Sequence, residues 1–178
     1  MEDNTGLAER MKRYEHTYRA VLPRRTYTLM RLDGRAFGTY LKNSDKPFDR
    51  DFVKCMDQVA YALCREIAGV QFAYTQSDEV SLLITDFQST HTEPWMGGNV
   101  AKMLSLSAAV ASVTMHVCRR SNPMPQFDSR VWTMSDPVEV ANYFLWRQND
   151  AVTNSIQMLA QHYYKPRSLK GRSTKELQ

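Results

Sequence analysis

The chain has 178 residues and a formal net charge of +4, and 43% of its residues are hydrophobic while 24% are charged. This is the composition of an ordinary globular protein with one domain, or one domain and an appendage. The longest apolar runs, such as residues 108–111, are too short to span a bilayer, and the start of the chain lacks the features of a signal peptide. We therefore expect a cytoplasmic protein without a membrane partner, whose basic balance permits a polyanionic partner.

The three cysteines do not suggest a metal site. Cys55, Cys64 and Cys118 form no CxxC pair, and only His116, beside Cys118, lies near one of them. We expect buried, reduced thiols that behave as small hydrophobic residues, and no disulfide framework.

The first part of the chain predicts a helix and then a strand. Residues 7–20 combine apolar positions three or four residues apart with a basic outer face, which is typical of an amphipathic helix that Pro23 ends. Residues 26–32 are rich in β-branched and aromatic side chains, and Asp33 and Gly34 end this strand as a turn would.

The middle of the chain predicts a helix and a β-hairpin. Apolar residues recur at helical spacing over residues 52–67, until Gly69 ends the helix. Residues 70–75 and 80–85 read as two strands, and the polar residues 76–79 between them indicate a hairpin.

The second half of the chain predicts two long helices around a fourth strand. An apolar stripe runs from Met103 to Val117, and residues 127–133 read as a strand. Asp136 is a predicted N-cap with Pro137 in the first turn, and the helix that follows runs to about Tyr164.

This order of elements predicts an α/β fold of the α+β type. It is a βαββαβ antiparallel sheet with two helices packed on one face, plus flanking helices. We expect the second strand to run parallel to the first, with a gap that the last strand fills and with the hairpin partner on the other side of the first strand. The end of the first strand, with Asp33, then lies near the hairpin turn, with Asp78.

Two carboxylates held so close repel each other unless a cation lies between them, and Mg²⁺ prefers such oxygen ligands. Two Mg²⁺ ions about 3.5–4 Å apart activate an attacking hydroxyl and stabilise the leaving oxygen of a phosphoryl transfer. Gly34 lets the backbone turn tightly there, and Glu79 is a candidate additional or outer ligand. Taken singly, the LDG stretch is a strand-ending turn and the SDE stretch is a polar hairpin tip, and for each alone the structural interpretation is favoured; the metal site depends on their joint placement.

Four stretches then carry a resemblance to a known family. Residues 31–37 (RLDGRAF), 73–79 (AYTQSDE), 127–131 (FDSRV) and 146–150 (WRQND) resemble, in order, motifs of the tRNA-histidine guanylyltransferase family of 3′-to-5′ polymerases. The resemblance covers the chain from about Met11 to Gln178. It implies an N-terminal basic helix at 1–24, a polymerase-palm-like catalytic domain at 25–135, and a C-terminal helix with a shortened tail at 136–178.

The resemblance also implies the site and its ligands. Asp33, the Gly34 carbonyl and Asp78 would hold two Mg²⁺ ions, with Asp33, Asp78 and Glu79 as the catalytic carboxylates and ATP and GTP as substrates. The implied nucleotide contacts are Gly34, Arg35, Ala36, Phe37, Lys42, Ser77 and the triphosphate-contacting Lys102. Without the resemblance, Lys102 reads as a solvated helix charge.

Family members activate a tRNA 5′ end with ATP, or use a 5′-triphosphate, and the 3′-hydroxyl of an incoming nucleotide then attacks it. They commonly form tetramers, so we expect tRNA, nucleoside triphosphates and further copies of the chain as partners. Residues 152–155 (VTNS) differ from the His-Ile-Asn-Asn of the eukaryotic enzymes. This difference favours the bacterial, archaeal or viral branch, which repairs tRNA 5′ ends against a template, over dedicated guanylate addition to histidine tRNA.

Two other classes remain open on the sequence. A non-catalytic RNA-binding module uses the same topology and exposes aromatic residues on its central strands, where Tyr27, Phe72 and Tyr74 lie. A nucleotide cyclase would use the same pair of carboxylates. The basic residues near the two ends of the chain read equally as phosphate contacts or as a solvated surface; they are Arg10, Lys12, Arg13, Arg19, Arg24, Arg25, Lys165, Arg167, Lys170, Arg172 and Lys175.

Overall fold

The computed structural model describes residues 6–120 and 122–177. The helices are α1 (Leu7–His16), α2 (Phe37–Tyr40), α3 (Arg50–Glu66), α4 (Val100–Arg119), α5 (Pro137–Tyr163) and α6 (Pro166–Leu169). The strands are β1 (Tyr27–Gly34), β2 (Val70–Gln76), β3 (Glu79–Ile84) and β4 (Phe127–Met134), and short 3₁₀ turns occupy Trp95–Gly98 and Thr174–Glu176. These bounds agree with the predicted elements to within a few residues.

The four strands form one sheet in the order β2-β3-β1-β4, in which all neighbours are antiparallel. The α+β prediction is therefore confirmed. The predicted strand order was wrong in one respect, because β3 fills the gap between β1 and β2 while β4 pairs on the outer side of β1. The reason is local: the β2–β3 turn is only Ser77 and Asp78, so β3 must lie directly beside β2.

The main core lies between the sheet and the pair α3 and α4. Met30 and Leu32 of β1, with Val80 and Leu82 of β3, are fully buried in it. Alternate residues of each strand face the opposite side, where Leu29 packs with Val140 and Tyr143 of α5. Residues 31 and 33 of β1 therefore share the α5 side of the sheet. The predicted pair of helices, α3 and α4, lies on one face, whereas the cover of the other face by α5 was not predicted.

One helix among the described residues, α4, is long and apolar enough to cross a membrane by length and composition alone. The expectation that no segment would qualify overlooked it, because serines interrupt its apolar residues. In the fold α4 packs against α3 and β4, and Met103, Ser107, Ala111 and Met115 are its buried residues.

The expectation for the cysteines was wrong. Cys55 of α3 and Cys118 of α4 form a disulfide with a Cα–Cα distance of 5.7 Å, and Cys64 is free and exposed. The two helices are adjacent in the fold, so residues 63 positions apart in sequence meet. Sequence spacing alone contains no information on such a pairing.

Reduction of this disulfide is expected to lower the free energy of unfolding by about 2–4 kcal/mol, because it releases a long loop in the unfolded chain. Urea denaturation with and without a dithiol reductant measures the change. The Cys55→Ser/Cys118→Ser variant should match the reduced protein and should not respond to reductant. Cys64→Ser is the control and should respond as the wild-type chain does; equal stability with and without reductant would contradict the prediction.

Candidate active site

Asp33 lies at the end of β1, where three strands present carboxylates at one level. It is directly opposite Glu79 of β3 on one side and Asp128 of β4 on the other. Directly opposed residues point to the same face of an antiparallel sheet, which here is the face that α5 only partly covers. Asp33 is half-buried.

Asp78 lies in the tight turn between β2 and β3. Ser77 adopts a left-handed conformation with φ of 49°, and its hydroxyl donates to Asp78 Oδ1 at 3.0 Å. The N–H of Gly34 donates to the Asp78 carbonyl at 3.1 Å. The end of β1 and the hairpin turn are therefore joined directly. The two carboxylate stretches lie side by side in the structure, as the sequence predicted.

Burial and the nearby charge of Asp33 raise the pKa of Asp78 above its usual range, although hydrogen bonds from its own backbone N–H and from Ser77 act in the opposite direction. Among residues 6–120 and 122–177, no Lys or Arg forms an ion pair with either carboxylate. Two carboxylates that destabilise each other and lack a cationic partner are suited to an added cation.

The described residues contain no group of three or more His, Cys, Asp or Glu side chains that could hold a metal. A metal at this place would therefore depend on two carboxylates and backbone oxygen, which is the set that the sequence predicted with Asp33, Asp78 and the Gly34 carbonyl. Such an all-oxygen set with few protein ligands fits Mg²⁺, which usually keeps several waters and binds substrate phosphates.

Gly34 is required for a reason other than the one predicted from sequence. A Cβ on Gly34 would lie 2.4 Å from Cδ2 of Phe37, so the buried Phe37 ring occupies the space of a side chain. The left-handed residue of this turn is Ala36, with φ of 57°. Phe37 packs on Tyr40, Phe52 and Phe127, which leaves only its backbone for contact with a ligand.

Glu79 belongs to a buried cluster of charges. Its Oε1 lies 3.2 Å from Nε of Arg147, and its Oε2 lies 3.9 Å from Nε of Arg31. Gln76 and Ser81 donate to Oε1 at 3.2 Å each. Glu79 therefore stands beside Asp33 with its oxygens already engaged, and this geometry favours a positioning role over the predicted catalytic one.

Arg147 of α5 is the functional candidate that the sequence reasoning missed, although it lies in the WRQND stretch. Its side chain is only 6% exposed, and it also donates to Asp150. Neither Arg147 Nε nor Arg31 Nε has an aligned hydrogen-bond acceptor, so their attraction to Glu79 is mainly electrostatic. Burial raises the pKa of Tyr143, whose hydroxyl shares a 2.8 Å hydrogen bond with Ser81 in the same cluster.

A cleft of about 280 Å³ opens beside the hairpin turn. The loop before α3, the end of β2 and the second half of α5 form its walls. Its polar lining includes Ser44, Lys46, Asp49, Gln76, Ser77 and Asn154, and its apolar lining includes Phe48, Phe52, Val53 and Met158. A mostly apolar cleft with a few polar groups at one end suits a small ligand such as a nucleotide.

Ser77 is the predicted nucleotide-binding residue that lines this cleft, whereas Lys42 does not line it. The lysine of the lining is Lys46, four residues further along the same loop. From this loop the sequence analysis named only Lys42. Only the folded position of the loop shows that Lys46 and Asp49 face the cleft.

Asp49 anchors the cleft loop to both helices. Burial acts to raise the pKa of Asp49, but hydrogen bonds from Phe52 N–H, Ser44 and Arg119, together with the Arg119 charge, outweigh it and lower the pKa. The Phe52 N–H donates to Oδ1 at 2.8 Å as an N-cap contact, and Arg119 Nη1 lies 3.0 Å from Oδ2.

Asp49→Ala is expected to lower the free energy of unfolding by about 1–3 kcal/mol, because it removes the cap and the charged hydrogen bond. Asp49→Asn keeps the N-cap contact and should lose only the stabilisation that comes from the charged hydrogen bond with Arg119. Because the pKa of Asp49 is lower in the folded chain, its carboxylate adds stability above pH about 4, the ordinary Asp pKa, and loses this effect as the pH falls through the folded-state pKa.

Urea denaturation from pH 7 to pH 2.5 measures this dependence. The stability deficit of Asp49→Asn should shrink towards zero at the acid end, whereas Asp51→Asn, at an exposed position of the same helical turn, should show almost no deficit at any pH. A deficit of Asp49→Asn that is independent of pH would contradict the assignment.

Lys102 is not brought to Asp33 and Asp78 within this chain. The start of α4 lies beside the segment before β1, because Val100 N–H donates to the Ala20 carbonyl at 3.0 Å. Asp33 lies at the other end of β1, and the rise along β1 from Tyr27 to Asp33 is about 20 Å at 3.3 Å per residue. The triphosphate contact of Lys102 stays a prediction. Such a contact would require a ligand that reaches the start of α4, or a Lys102 from another copy of the chain.

Two of the three aromatic strand residues contact other rings, but Phe72 is still 48% exposed, so the exposed aromatic surface of an RNA-binding sheet is partly present. Phe72 lies against Phe144 of α5 and Tyr27 against Phe87, with ring centroids 4.9 and 5.1 Å apart. In the N-terminal basic cluster, Arg24 pairs with Glu93 at 3.1 Å, and the backbone N–H of Arg25 donates to Asp86. These two arginines therefore have structural roles.

Comparison with known proteins agrees with this geometry. The model of the family described as "Thg1: tRNAHis guanylyltransferase" matches residues 8–135. A bacterial tRNA(His) guanylyltransferase (Thg1)-like protein solved with ATP is 39% identical, with a TM-score of 0.93, over 97% of this chain and 77% of that chain. Such a protein solved with GTP is 41% identical, with a TM-score of 0.83, over 87% of this chain and 75% of that chain.

Among curated sequences, tRNA(His) guanylyltransferase of Schizosaccharomyces pombe is 28% identical over 83% of this chain and 57% of the relative. The chain spans about half to two thirds of the length of the curated relatives it matches. The resemblance noted from the four sequence stretches is thereby confirmed.

Proposed function

The chain belongs to the tRNAHis guanylyltransferase family, and we propose that it is a Mg²⁺-dependent nucleotidyltransferase that adds nucleotides to tRNA 5′ ends in the 3′-to-5′ direction. The single observation that carries this proposal is the coupled pair of Asp33 and Asp78, joined through Gly34 beside a cleft that suits a nucleotide. The ATP and GTP complexes of the bacterial Thg1-like proteins support nucleotides as substrates.

In this proposal the nucleotide base and ribose occupy the cleft, and the phosphates extend from Ser77 towards the turn after β1. The first turn of a helix leaves N–H groups without intrahelical acceptors. Helix α2 begins directly after Gly34, Arg35 and Ala36. The N–H groups of Thr39 and Tyr40 donate to the Ala36 carbonyl, so those of Phe37 and Gly38 are proposed to meet the phosphate oxygens. Lys46 supplies a positive charge at the cleft wall.

Asp33, Asp78 and the Gly34 carbonyl would hold the Mg²⁺. When bound, Mg²⁺ supplies activation of a hydroxyl nucleophile and neutralisation of charge on the reacting phosphate. The residues of the chain orient this centre: Ser77 donates to Asp78 Oδ1, Gly34 N–H holds the hairpin turn, and Arg147 pairs with Glu79 Oε1 beside Asp33. The incoming nucleotide's 3′-hydroxyl would then attack the 5′ phosphate that ATP has activated.

We propose templated 5′-end repair as the specific activity. The support is the VTNS sequence at residues 152–155 and the higher identity to bacterial Thg1-like proteins, 39–41%, than to the S. pombe enzyme, 28%. Of the three positions that differ from His-Ile-Asn-Asn, Ser155 lines the cleft, beside the retained Asn154, so one difference falls at the proposed nucleotide site. Guanylate addition to histidine tRNA is the alternative.

The test is incorporation of labelled GTP, with ATP and Mg²⁺, into two 5′-monophosphorylated RNAs. One is intact histidine tRNA, and the other is a tRNA that lacks its first nucleotide opposite a cytidine. Templated repair is supported if the truncated tRNA is labelled and the nucleotide that is added changes to remain complementary when the opposing base is changed. Labelling of histidine tRNA alone would establish the alternative, and no labelling of either, with RNA still bound, would leave a binding module.

A homotetramer and a cytoplasmic location complete the proposal. The exposed apolar residues Leu106, Val113 and Val117 of α4 support self-association, because contiguous exposed apolar surface is typical of interfaces. Light scattering after size-exclusion chromatography would measure the mass, and a monomer at micromolar concentration would contradict the tetramer.

A further inference from the structure

An open groove of about 500 Å³ lies between the outer half of the sheet and the first half of α5. The residues that form it include Arg31, Arg130, Trp132, Asn142, Tyr143 and Trp146. Arg31 of β1 and Arg130 of β4 are directly opposed, and Trp132 is opposed to Leu29. The groove is therefore on the same face of the sheet as Asp33, and it is separate from the cleft beside the hairpin turn.

The aromatic residues of the groove are fixed in place but only partly covered. Trp132 and Trp146 both lie edge-on to the buried Tyr143, with ring centroids 5.3 and 6.0 Å away. The guanidinium of Arg147 lies 4.1 Å from the centroid of the Trp146 ring, yet Trp146 is 55% exposed. A Trp whose orientation is held by a buried cation and whose surface is exposed is suited to stacking on a planar ligand.

The charge of the groove suits a phosphate beside that planar group. Arg130 is largely exposed and lies 3.5 Å from Asp128, whereas the side chain of Arg31 is 15% exposed and its Nε lies 3.9 Å from Glu79. Glu139 lies at the rim, where Asn142 donates to it at 3.0 Å. Aromatic rings next to arginines bind single-stranded nucleic acid by base stacking and phosphate contact.

The groove leads directly to the proposed reaction centre. Arg31 precedes Asp33 by two residues on one strand, and Arg130 follows Asp128 by two on its neighbour, so each pair lies on one face. Two strand residues span about 7 Å. A nucleotide whose base stacks on Trp146 would have its phosphate at the arginines, and the recessed 5′ end that this nucleotide overhangs would lie at Asp33.

We propose that this groove binds an unpaired RNA nucleotide next to the reacting 5′ end, with its base on Trp146 and Trp132 and its phosphate at Arg31 and Arg130. The inference rests on the proposed function, and it adds a binding site that discriminates a recessed 5′ end from a fully paired one. A free nucleoside triphosphate shares the same chemistry and is an outcome that the test distinguishes.

The test measures binding without catalysis. The probes are an RNA hairpin whose 5′ end is recessed by one nucleotide, the same hairpin with a blunt end, and GTP alone. The wild-type chain should bind the recessed hairpin about tenfold more tightly than the blunt one, as expected for one stacked base. Trp146→Ala should abolish this preference and leave the affinity for the blunt hairpin unchanged, whereas Trp146→Phe should keep most of it.

Tyr163→Ala is the matched control, because Tyr163 is an exposed aromatic residue of the same helix outside the groove; it should keep the full preference. Tryptophan fluorescence gives a second readout, since Trp95 is buried and outside the groove. The recessed hairpin should quench wild-type emission more than that of Trp146→Phe. Equal affinity for both hairpins, a preference that survives in Trp146→Ala, or equal quenching by GTP alone would overturn the proposal.

Arg130→Gln tests the phosphate contact if Trp146→Ala fails to fold, since Arg130 is an exposed sheet residue. It should weaken binding of the recessed hairpin and reduce the slope of log affinity against log salt by about one. Arg65→Gln, on α3 at the opposite face of the sheet, should leave the slope unchanged. An unchanged slope in Arg130→Gln would also overturn the proposal. Failure of labelled GTP incorporation with the hairpin preference intact would instead count against the proposed function alone.

Discussion

Asp78→Asn is expected to reduce the rate of nucleotide addition by about 10³-fold, because it removes one of only two carboxylates able to hold Mg²⁺ at the proposed centre. The fold should survive the change. Burial and the charge of Asp33 raise the pKa of Asp78, so the ionised carboxylate opposes folding when no metal is present. The free energy of unfolding in EDTA should therefore be equal to or higher than that of the wild-type chain.

Single-turnover incorporation assays and urea denaturation, each with and without Mg²⁺, measure the two effects. Mg²⁺ should stabilise the wild-type chain through binding to the folded state, and this stabilisation should disappear in Asp78→Asn. Asp57→Asn, at an exposed position of α3, is the control and should retain both activity and the response to Mg²⁺. More than a tenth of the wild-type rate in Asp78→Asn would rule out the assigned role.

Arg147→Met is expected to lower the free energy of unfolding by about 3–5 kcal/mol, because it leaves Glu79 as a buried carboxylate without its main cation. The side chains of Arg147 and Glu79 are 6% and 12% exposed, so water cannot replace the lost partner. Arg31, at 3.9 Å, offers only partial compensation. Urea denaturation at neutral pH measures the loss.

The double variant Arg147→Met/Glu79→Gln distinguishes the cost of an unpaired Glu79 carboxylate from the cost of lost packing around Arg147. Removing the carboxylate as well should restore more than half of the lost stability, because the unpaired charge is the main cost. Arg130→Met breaks the exposed pair with Asp128 and should change stability by less than about 1 kcal/mol. If the double variant were no more stable than Arg147→Met, the charge pairing would not be the cause.

The same pair explains why three carboxylates at one end of the sheet need not act alike. Glu79 is directly opposite Asp33, yet Arg147 neutralises it, while no Lys or Arg of the described ranges 6–120 and 122–177 forms an ion pair with Asp33 or Asp78. The predicted catalytic role of Glu79 is thus replaced in our proposal by a structural one that keeps the centre to two free carboxylates. The role itself stays a prediction until the variants are measured.

The amino-acid sequence by itself determined the local elements of this protein. Periods of two and of three to four residues, the stop at Gly69 and the N-cap Asp136 are properties of short segments, and the strands and main helices match them. The first helix is the exception, because α1 ends at His16 and not near Pro23. The order of these elements then restricted the topology to one α+β type. The motifs at residues 31–37 and 73–79 indicated the family, because each is a specific set of adjacent residues.

Only the tertiary structure decided which distant residues meet. The Cys55–Cys118 disulfide, the Glu79–Arg147 pair, the cleft with Lys46 and Asp49, and the remote position of Lys102 all depend on contacts between elements far apart in sequence. The mistaken strand order has a different cause, because a local feature, the two-residue turn between β2 and β3, already requires β3 to lie beside β2. Sequence periodicity indicates which residues share one face of a helix or strand, whereas the packing of elements against each other determines which residues that face contacts.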